Sequence, residues 1–143
     1  MSKKDVLKIG IVCGEHSGDR LGAGLIEELK KHYDVNLYGV GGPKLENLGL
    51  KSSFHYSEIN IMGLLDPLLS IFKLTRLRKN LINLFIKNNI NLFIGIDSPD
   101  FNMGIHKALK KKCLNKNIQV VSPSVWGWRQ GRVKSIQAYI DLT

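Results

Sequence analysis

Short apolar runs that stop at a glycine or proline, each followed by a stretch with helical spacing, recur along this chain at intervals of a few tens of residues. Residues 8–13 (KIGIVC) are apolar and end at Gly14, the pattern of a buried strand. Residues 21–31 (LGAGLIEELKK) put Leu21, Leu25, Ile26 and Leu29 on one helical face, with Asp19 placed to cap that helix. A second strand is expected over 35–40 (VNLYGV), closed by Gly41-Gly42-Pro43, and a short helix over 44–48 before a loose stretch to Glu58. Residues 59–89 are apolar and mostly helical in period, with a break near Asp66-Pro67. A third strand, 91–97 (NLFIGID), runs into the turn Ser98-Pro99-Asp100, and helix 103–114 follows with Lys110, Lys111 and Lys112 on its outer face. A fourth strand, 118–121 (IQVV), leads into Ser122-Pro123-Ser124. Residues 125–139 contain another helix, and 141–143 begin one more strand.

Strand and helix in alternation is the rhythm of βαβ units, and it predicts an α/β domain with a doubly wound parallel sheet. In such sheets ligand groups gather in the loops beyond the carboxyl ends of the strands. Four loops fall there: GEHSGD (14–19), GVGGP (39–43), DSPDFN (97–102) and SPSVWGWRQ (122–130). They hold six of the fourteen glycines, three of the four prolines and both tryptophans, and that concentration marks the expected site.

Composition narrows the chemistry. Apolar residues at 43% and charged residues at 23% are globular values, and 143 residues suffice for one domain with its own core. Cys13 and Cys113 stand far apart with no CxxC, which argues against a disulfide framework and for a reduced, cytosolic setting. His16, His32, His55 and His106 lack ligand spacing, so no metal is expected. The basic start carries too short an apolar run for a secretory leader, and no run is long enough for a membrane span. The net charge of +9 suits an anionic partner, yet most of the basic residues are Lys in a chain also rich in Asn and Ile, as AT-rich codons produce. No stacking aromatics, zinc fingers or arginine-rich segments point to nucleic acid.

The stretch GEHSGDRLGAG fails the phosphate-loop pattern GxxxxGK[ST], having neither the Lys nor the hydroxyl that phosphate and magnesium need. It fails GxGxxG as well, and Glu15 and Asp19 place carboxylates at the mouth, an awkward lining for a phosphate. Gly22 and Gly24 fall in the first turns of the helix, at a cost of about 1 kcal/mol each relative to Ala. A ligand or a closely packed neighbour against that turn would account for them.

Taken together, GEHSGDRLGAGLI, GVGGPKL, IMGLLDPL, GIDSPDFN and SPSVWGWRQGRV resemble, in that order and spacing, the lipid-A-disaccharide synthases, from residue 9 to residue 143. Cys13 stands where Ala is common in that family, and Gly127 replaces Ala between the tryptophans. The resemblance implies an inverting, UDP-sugar-dependent glycosyltransferase of the two-domain GT-B architecture, acting in lipid A and lipopolysaccharide biosynthesis of a Gram-negative bacterium. Residues 1–143 would be its N-terminal, Rossmann-like, acceptor-side and membrane-associated domain. The donor domain, which supplies most of the UDP-sugar site, would lie beyond it, so this chain alone is expected to be inactive. The reaction implied joins UDP-2,3-diacylglucosamine to 2,3-diacylglucosamine 1-phosphate, forming the β(1→6) disaccharide and UDP. No cofactor is implied, and a homodimer of the full-length protein is compatible with the resemblance.

Inverting transfer needs a general base for the acceptor hydroxyl. By resemblance Asp97, at the end of the third strand, is the catalytic residue. Asp100 is its rival and also reads as a helix cap, with Pro99 fixing the turn so that the two carboxylates point apart. Substrate-binding candidates are Glu15, Ser17, Gly18, Asp19 and Asp100 from the first and third loops, and Ser122, Ser124, Trp128 and Arg129 from the last. Arg129 suits a phosphate because a guanidinium binds it bidentately. Trp126 and Arg132 belong to the same cluster, and at least one of the tryptophans reads as ordinary core.

Residues 61–81 join an apolar stretch to a basic cluster that includes Arg78 and Lys79. Leu64, Leu65, Leu68, Leu69, Phe72, Lys73 and Arg76 suit a helix lying on an anionic membrane surface, as does Ile71. Burial against another domain is the plainer alternative. The implied location is cytoplasmic, peripheral on the inner face of the cytoplasmic membrane. Two other functions compete: a non-catalytic, membrane-binding relic of the same fold, and a stand-alone flavodoxin-like nucleotide binder, which the missing phosphate loop disfavours.

Overall fold

The computed structural model describes residues 3–63, 66–112, 115–122 and 131–143. Five parallel strands, β1 (Val6–Cys13), β2 (Asp34–Val40), β3 (Lys51–Ser52), β4 (Leu92–Ile96) and β5 (Lys116–Val120), form one sheet in the order β3-β2-β1-β4-β5. Helices α1 (His16–Lys30), α2 (Pro43–Asn47), α3 (Pro67–Lys87), α4 (Pro99–Lys112) and α5 (Gly131–Tyr139) connect or follow the strands, and a 3-10 helix spans Tyr56–Gly63. This is the Rossmann-like, doubly wound sheet expected from the alternation. Leu142 makes a parallel bridge to Ile118, the beginning of the extra strand expected at 141–143.

Period-two alternation in the strands divides the core between the two faces. Ile9, Ile11 and Cys13 of β1 and Ile94 and Ile96 of β4 pack with Ala23 and Ile26 of α1 and Leu45 of α2. Val12 of β1 and Phe93 of β4 face the other way, against Leu77, Leu81 and Phe85 of α3 and Phe101, Ile105 and Leu109 of α4. Both faces being covered explains why the strands read as continuous apolar runs.

Two helices start several residues before the sequence reading. Helix α1 begins at His16, five residues before the expected 21, with Glu15 at its N-cap position and no side-chain cap. Helix α4 begins at Pro99 rather than 103, so Pro99 opens a helix instead of fixing a turn, as suits a residue with no N–H and a preset φ. Helix α3 starts at Pro67, where the break was expected, and Asp66 caps it by accepting from the Leu68 N–H at 2.8 Å.

Candidate functional site

Strands β1 and β4 are neighbours, while α1 covers one face of the sheet and α4 the other. The crevice that opens between their carboxyl ends is the topological switch point, where such sheets bind ligands. Asp97 stands directly beyond β4 and Gly14 directly beyond β1. The Gly14 N–H donates to Asp97 Oδ1 at 2.8 Å. Asp97 Oδ2 is buried and has no hydrogen-bond partner among the described residues. It lies against Gly18, where an added Cβ would stand 1.9 Å from it. Burial pushes the Asp97 carboxyl above the usual carboxylate range, and the Gly14 N–H, with the Ser98 hydroxyl and the Glu15 N–H close by, works in the opposite direction.

The backbone there is unusual. Asp97 and Ser98 both occupy the left-handed region, with φ of 53° and 36°. That conformation costs an L-residue about 1–2 kcal/mol, so the surroundings must hold it. Two side-chain amides do so from behind: Asn102 Nδ2 and Gln119 Nε2 each donate to the Asp97 carbonyl at 3.0 Å. The Asp97 carboxylate turns to the β1–α1 loop and not to α4, whose first helical bond runs from the Asn102 N–H to the Ser98 carbonyl.

Asp19 departs most from expectation. It neither caps α1 nor lines the loop mouth: it is fully buried in the first turn of α1 and caps α2 instead. Its Oδ1 accepts from the Gly42 and Leu45 N–H groups at 2.9 and 3.1 Å, and its Oδ2 from the Lys44 N–H at 2.9 Å. Both oxygens are thus committed to the backbone. Glu15 and Ser17 are exposed at the mouth, the Ser17 hydroxyl donating to Glu15 Oε2 at 3.4 Å. Gly22 rests on the sheet, since a Cβ would come within 2.7 Å of Ile96 Cδ1; Gly24 meets nothing, and the structure does not explain it.

Asp100 and Asp97 do point apart. Asp100 sits in the first turn of α4, its side chain 74% exposed, and it pairs with Arg132 of α5 rather than acting as the N-cap. Ser122 is exposed beyond β5. Ser124, Trp126, Trp128 and Arg129 lie outside the described residues, as do Leu64, Leu65 and Cys113. Burial, with Asp97 and Asp19 nearby, pushes the Cys13 thiol up to about 12, which leaves it protonated and unreactive at neutral pH.

A cavity of about 380 Å³ lies beside Asp97, between the 3-10 helix, α3 and the start of α4. Ile59, Ile71, Leu74 and Phe101 give it apolar walls; Asn60, Thr75, Arg78, Ser98 and Asp100 add polar groups. At its rim and beyond, Leu68, Leu69, Ile71 and Phe72 on the first turns of α3 are 67%, 64%, 58% and 72% exposed. Arg76 and Lys79 are exposed nearby, and Lys73 pairs with Glu58 at 3.2 Å. Arg78 does not belong with that basic cluster. Its Nε donates to the Phe101 carbonyl at 3.0 Å and its guanidinium lies over the Phe101 ring, joining α3 to α4. No helix among the described residues is long and apolar enough to cross a membrane.

Sequence reasoning missed the support behind Asp97: Asn102, Gln119, and His106, whose Nε2 lies 3.0 Å from Gln119 Oε1. It also missed Asn60, which donates to the Gly14 carbonyl. A signal existed for Gln119 alone, the one polar residue in the expected strand 118–121 (IQVV), which must find a partner if buried.

Comparison with known proteins identifies the family. The family model described as lipid-A-disaccharide synthetase matches residues 9–143. The lipid-A-disaccharide synthase of Pseudoalteromonas translucida is 46% identical over 137 residues, 95% of this chain and 35% of that protein. Those of Cellvibrio japonicus and Idiomarina loihiensis are 47% and 44% identical, over 95% and 99% of this chain and 35% and 37% of theirs. The chain therefore spans about a third of the length of the curated relatives it matches. With a match running through every loop that carries the crevice, this chain belongs to the lipid-A-disaccharide synthetase family.

Proposed function

We propose that this chain is the N-terminal, acceptor-side part of an inverting glycosyltransferase of the GT-B type. Its reaction is transfer of 2,3-diacylglucosamine from UDP-2,3-diacylglucosamine to 2,3-diacylglucosamine 1-phosphate in lipid A synthesis. Asp97 is the base. As the acceptor hydroxyl attacks the anomeric carbon, its proton passes to the Asp97 carboxylate. The new C–O bond forms on the face opposite UDP, and the old bond's electrons leave with UDP.

The observation that carries this reading is the half-buried Asp97 at the switch point, one oxygen held by Gly14, the other without a partner among the described residues. A carboxyl raised by burial is a better proton acceptor than an exposed one. The donor domain and most of the UDP-sugar contacts belong to the part of the relatives that this chain does not span. Glu15, Ser17, Asp100 and Ser122, exposed around the crevice, suit contacts to the acceptor.

The exposed Leu68, Leu69, Ile71 and Phe72, with Arg76 and Lys79 close by, support docking of α3 on the anionic inner face of the cytoplasmic membrane, where both lipid substrates reside.

The test is turnover in a chain extended to the length of its relatives. Asp97→Asn keeps the side chain's size but removes the base. It lowers kcat by about 10²–10⁴-fold with KM nearly unchanged, whereas Asp100→Asn costs far less. Near wild-type turnover in Asp97→Asn would refute the assignment.

A further inference from the structure

Behind Asp97, on the side of the sheet covered by α4, lies a buried polar relay that ordinary core packing would not require. Asn102, His106 and Gln119 are each no more than 1% exposed. Asn102 and Gln119 converge from α4 and β5 on one acceptor, the Asp97 carbonyl. Gln119 can donate there only with its Oε1 turned back, and that oxygen faces His106 Nε2 at 3.0 Å. His106 must then be the tautomer with a proton on Nε2. Burial favours its neutral form, and its ring sits edge-on to Phe93, 4.8 Å between centroids. Gly95, two residues before Asp97, makes room: a Cβ there would stand 2.4 Å from Gln119 Oε1 and 2.8 Å from Asn102 Nδ2.

We propose that Asn102 and Gln119, with His106 fixing the Gln119 amide, are positioning residues. By holding the Asp97 carbonyl they keep Asp97 and Ser98 in the left-handed conformation that turns the carboxylate toward Gly14 and the acceptor side. The inference rests on Asp97 being the base, but its structural half can be tested apart from that reading. A residue with positive φ has a short HN–Hα distance and gives a strong intraresidue cross-peak in NMR spectra.

Gln119→Glu keeps the Oε1 that faces His106 but removes the donor to Asp97, and Asn102→Ala removes the other donor with little change elsewhere. In this chain both variants weaken the Asp97 cross-peak while the remaining amide spectrum stays folded. In the chain extended to the relatives' length, each lowers kcat by up to about 10²-fold with KM little changed, as expected for a misplaced base. His106→Gln, which can still donate to Gln119, retains both readouts. An unchanged Asp97 cross-peak and unchanged kcat in folded Asn102→Ala would overturn the proposal, even where Gln119→Glu does not fold. If the cross-peak weakens but Asp97→Asn turns over normally, positioning of Asp97 stands and its role as base falls.

Discussion

Asp19 offers the most direct test of what this first loop is built for. Replacing it with Ala strips three N–H groups of their acceptor, and those of Gly42 and Leu45 are buried. A buried donor left without a partner costs about 1–3 kcal/mol. Two such donors cost roughly 2–6 kcal/mol, against a total stability of about 5–15 kcal/mol for a domain. Asp19→Asn is milder: its carbonyl oxygen can still accept from Gly42 and Leu45, but its NH₂ then faces the Lys44 N–H. Loss of charge assistance on two bonds, at about 1 kcal/mol each, together with that clash gives roughly 2–3 kcal/mol. Glu15→Ala, at an exposed position with no side-chain cap bond, stays within about 0.5 kcal/mol. Urea unfolding followed by circular dichroism measures all three, with ΔG from linear extrapolation. If Asp19→Ala lost less than about 1 kcal/mol, the carboxylate would not be the cap of α2, and a place for Asp19 among the ligand-binding groups would be open again.

Gly18→Ala improves helix propensity by about 1 kcal/mol, yet its Cβ would stand 1.9 Å from Asp97 Oδ2. It therefore destabilises the chain in a thermal melt and, in the extended chain, lowers kcat; a stabilised, fully active variant would contradict this placement. Leu69→Ser with Phe72→Ser, both sites exposed, leaves the fold intact and reduces co-sedimentation with anionic phospholipid vesicles, each lost apolar side chain being worth about 1.5–3 kcal/mol when buried. Equal partitioning of variant and parent would send α3 to a protein interface instead. For Asp97, burial raises the folded carboxyl above its unfolded value of 3.8, so the folded state holds the proton more tightly. Its ionised form then weighs against folding at neutral pH, and that penalty is relieved as pH falls through the folded pKa towards the unfolded one. Asp97→Asn is accordingly more stable than the parent at neutral pH, and the gap in Tm closes on acidification; a gap that widens would reverse the sign assigned to this group.

The strands were legible because parallel strands covered on both faces must be apolar throughout, and KIGIVC and NLFIGI could be little else. Helix starts were not. The first turn of α1 faces the sheet with Gly18 and Asp19, and Gly18 is small because a carboxylate, not a hydrophobe, sits beneath it. Apolar periodicity therefore begins only at Leu21, although the helix begins at His16. Asp19 looked like a local cap because a carboxylate near a helix start usually is one. Its real partners, at Gly42, Lys44 and Leu45, are distant in sequence and leave no local mark. Gln119 stood out as a polar residue in an apolar run, but its convergence with Asn102 on the Asp97 carbonyl left no such mark, since the two meet only because α4 folds back over β4 and β5.

Two aspartates near the switch point, Asp19 buried and Asp97 half-buried, are held in opposite ways. Asp19 receives three backbone N–H groups on its two oxygens, so its burial is fully compensated, and all it holds is the entry to α2. Asp97 receives one well-formed N–H bond, from Gly14, keeps a buried oxygen with no well-formed bond among the described residues, and is itself the first of two successive left-handed residues. A fold selected only for stability would relax both features: an Asn or Ser would end β4 with less desolvation, and a Gly would take the positive φ without strain. Local costs of this kind, borne where the rest of the sheet is well packed, are the ground on which we propose Asp97 as the base. The polar relay from His106 through Gln119 fits the same logic. It replaces apolar packing under the sheet's end with hydrogen bonds that fix one peptide unit, the one that carries the carboxylate.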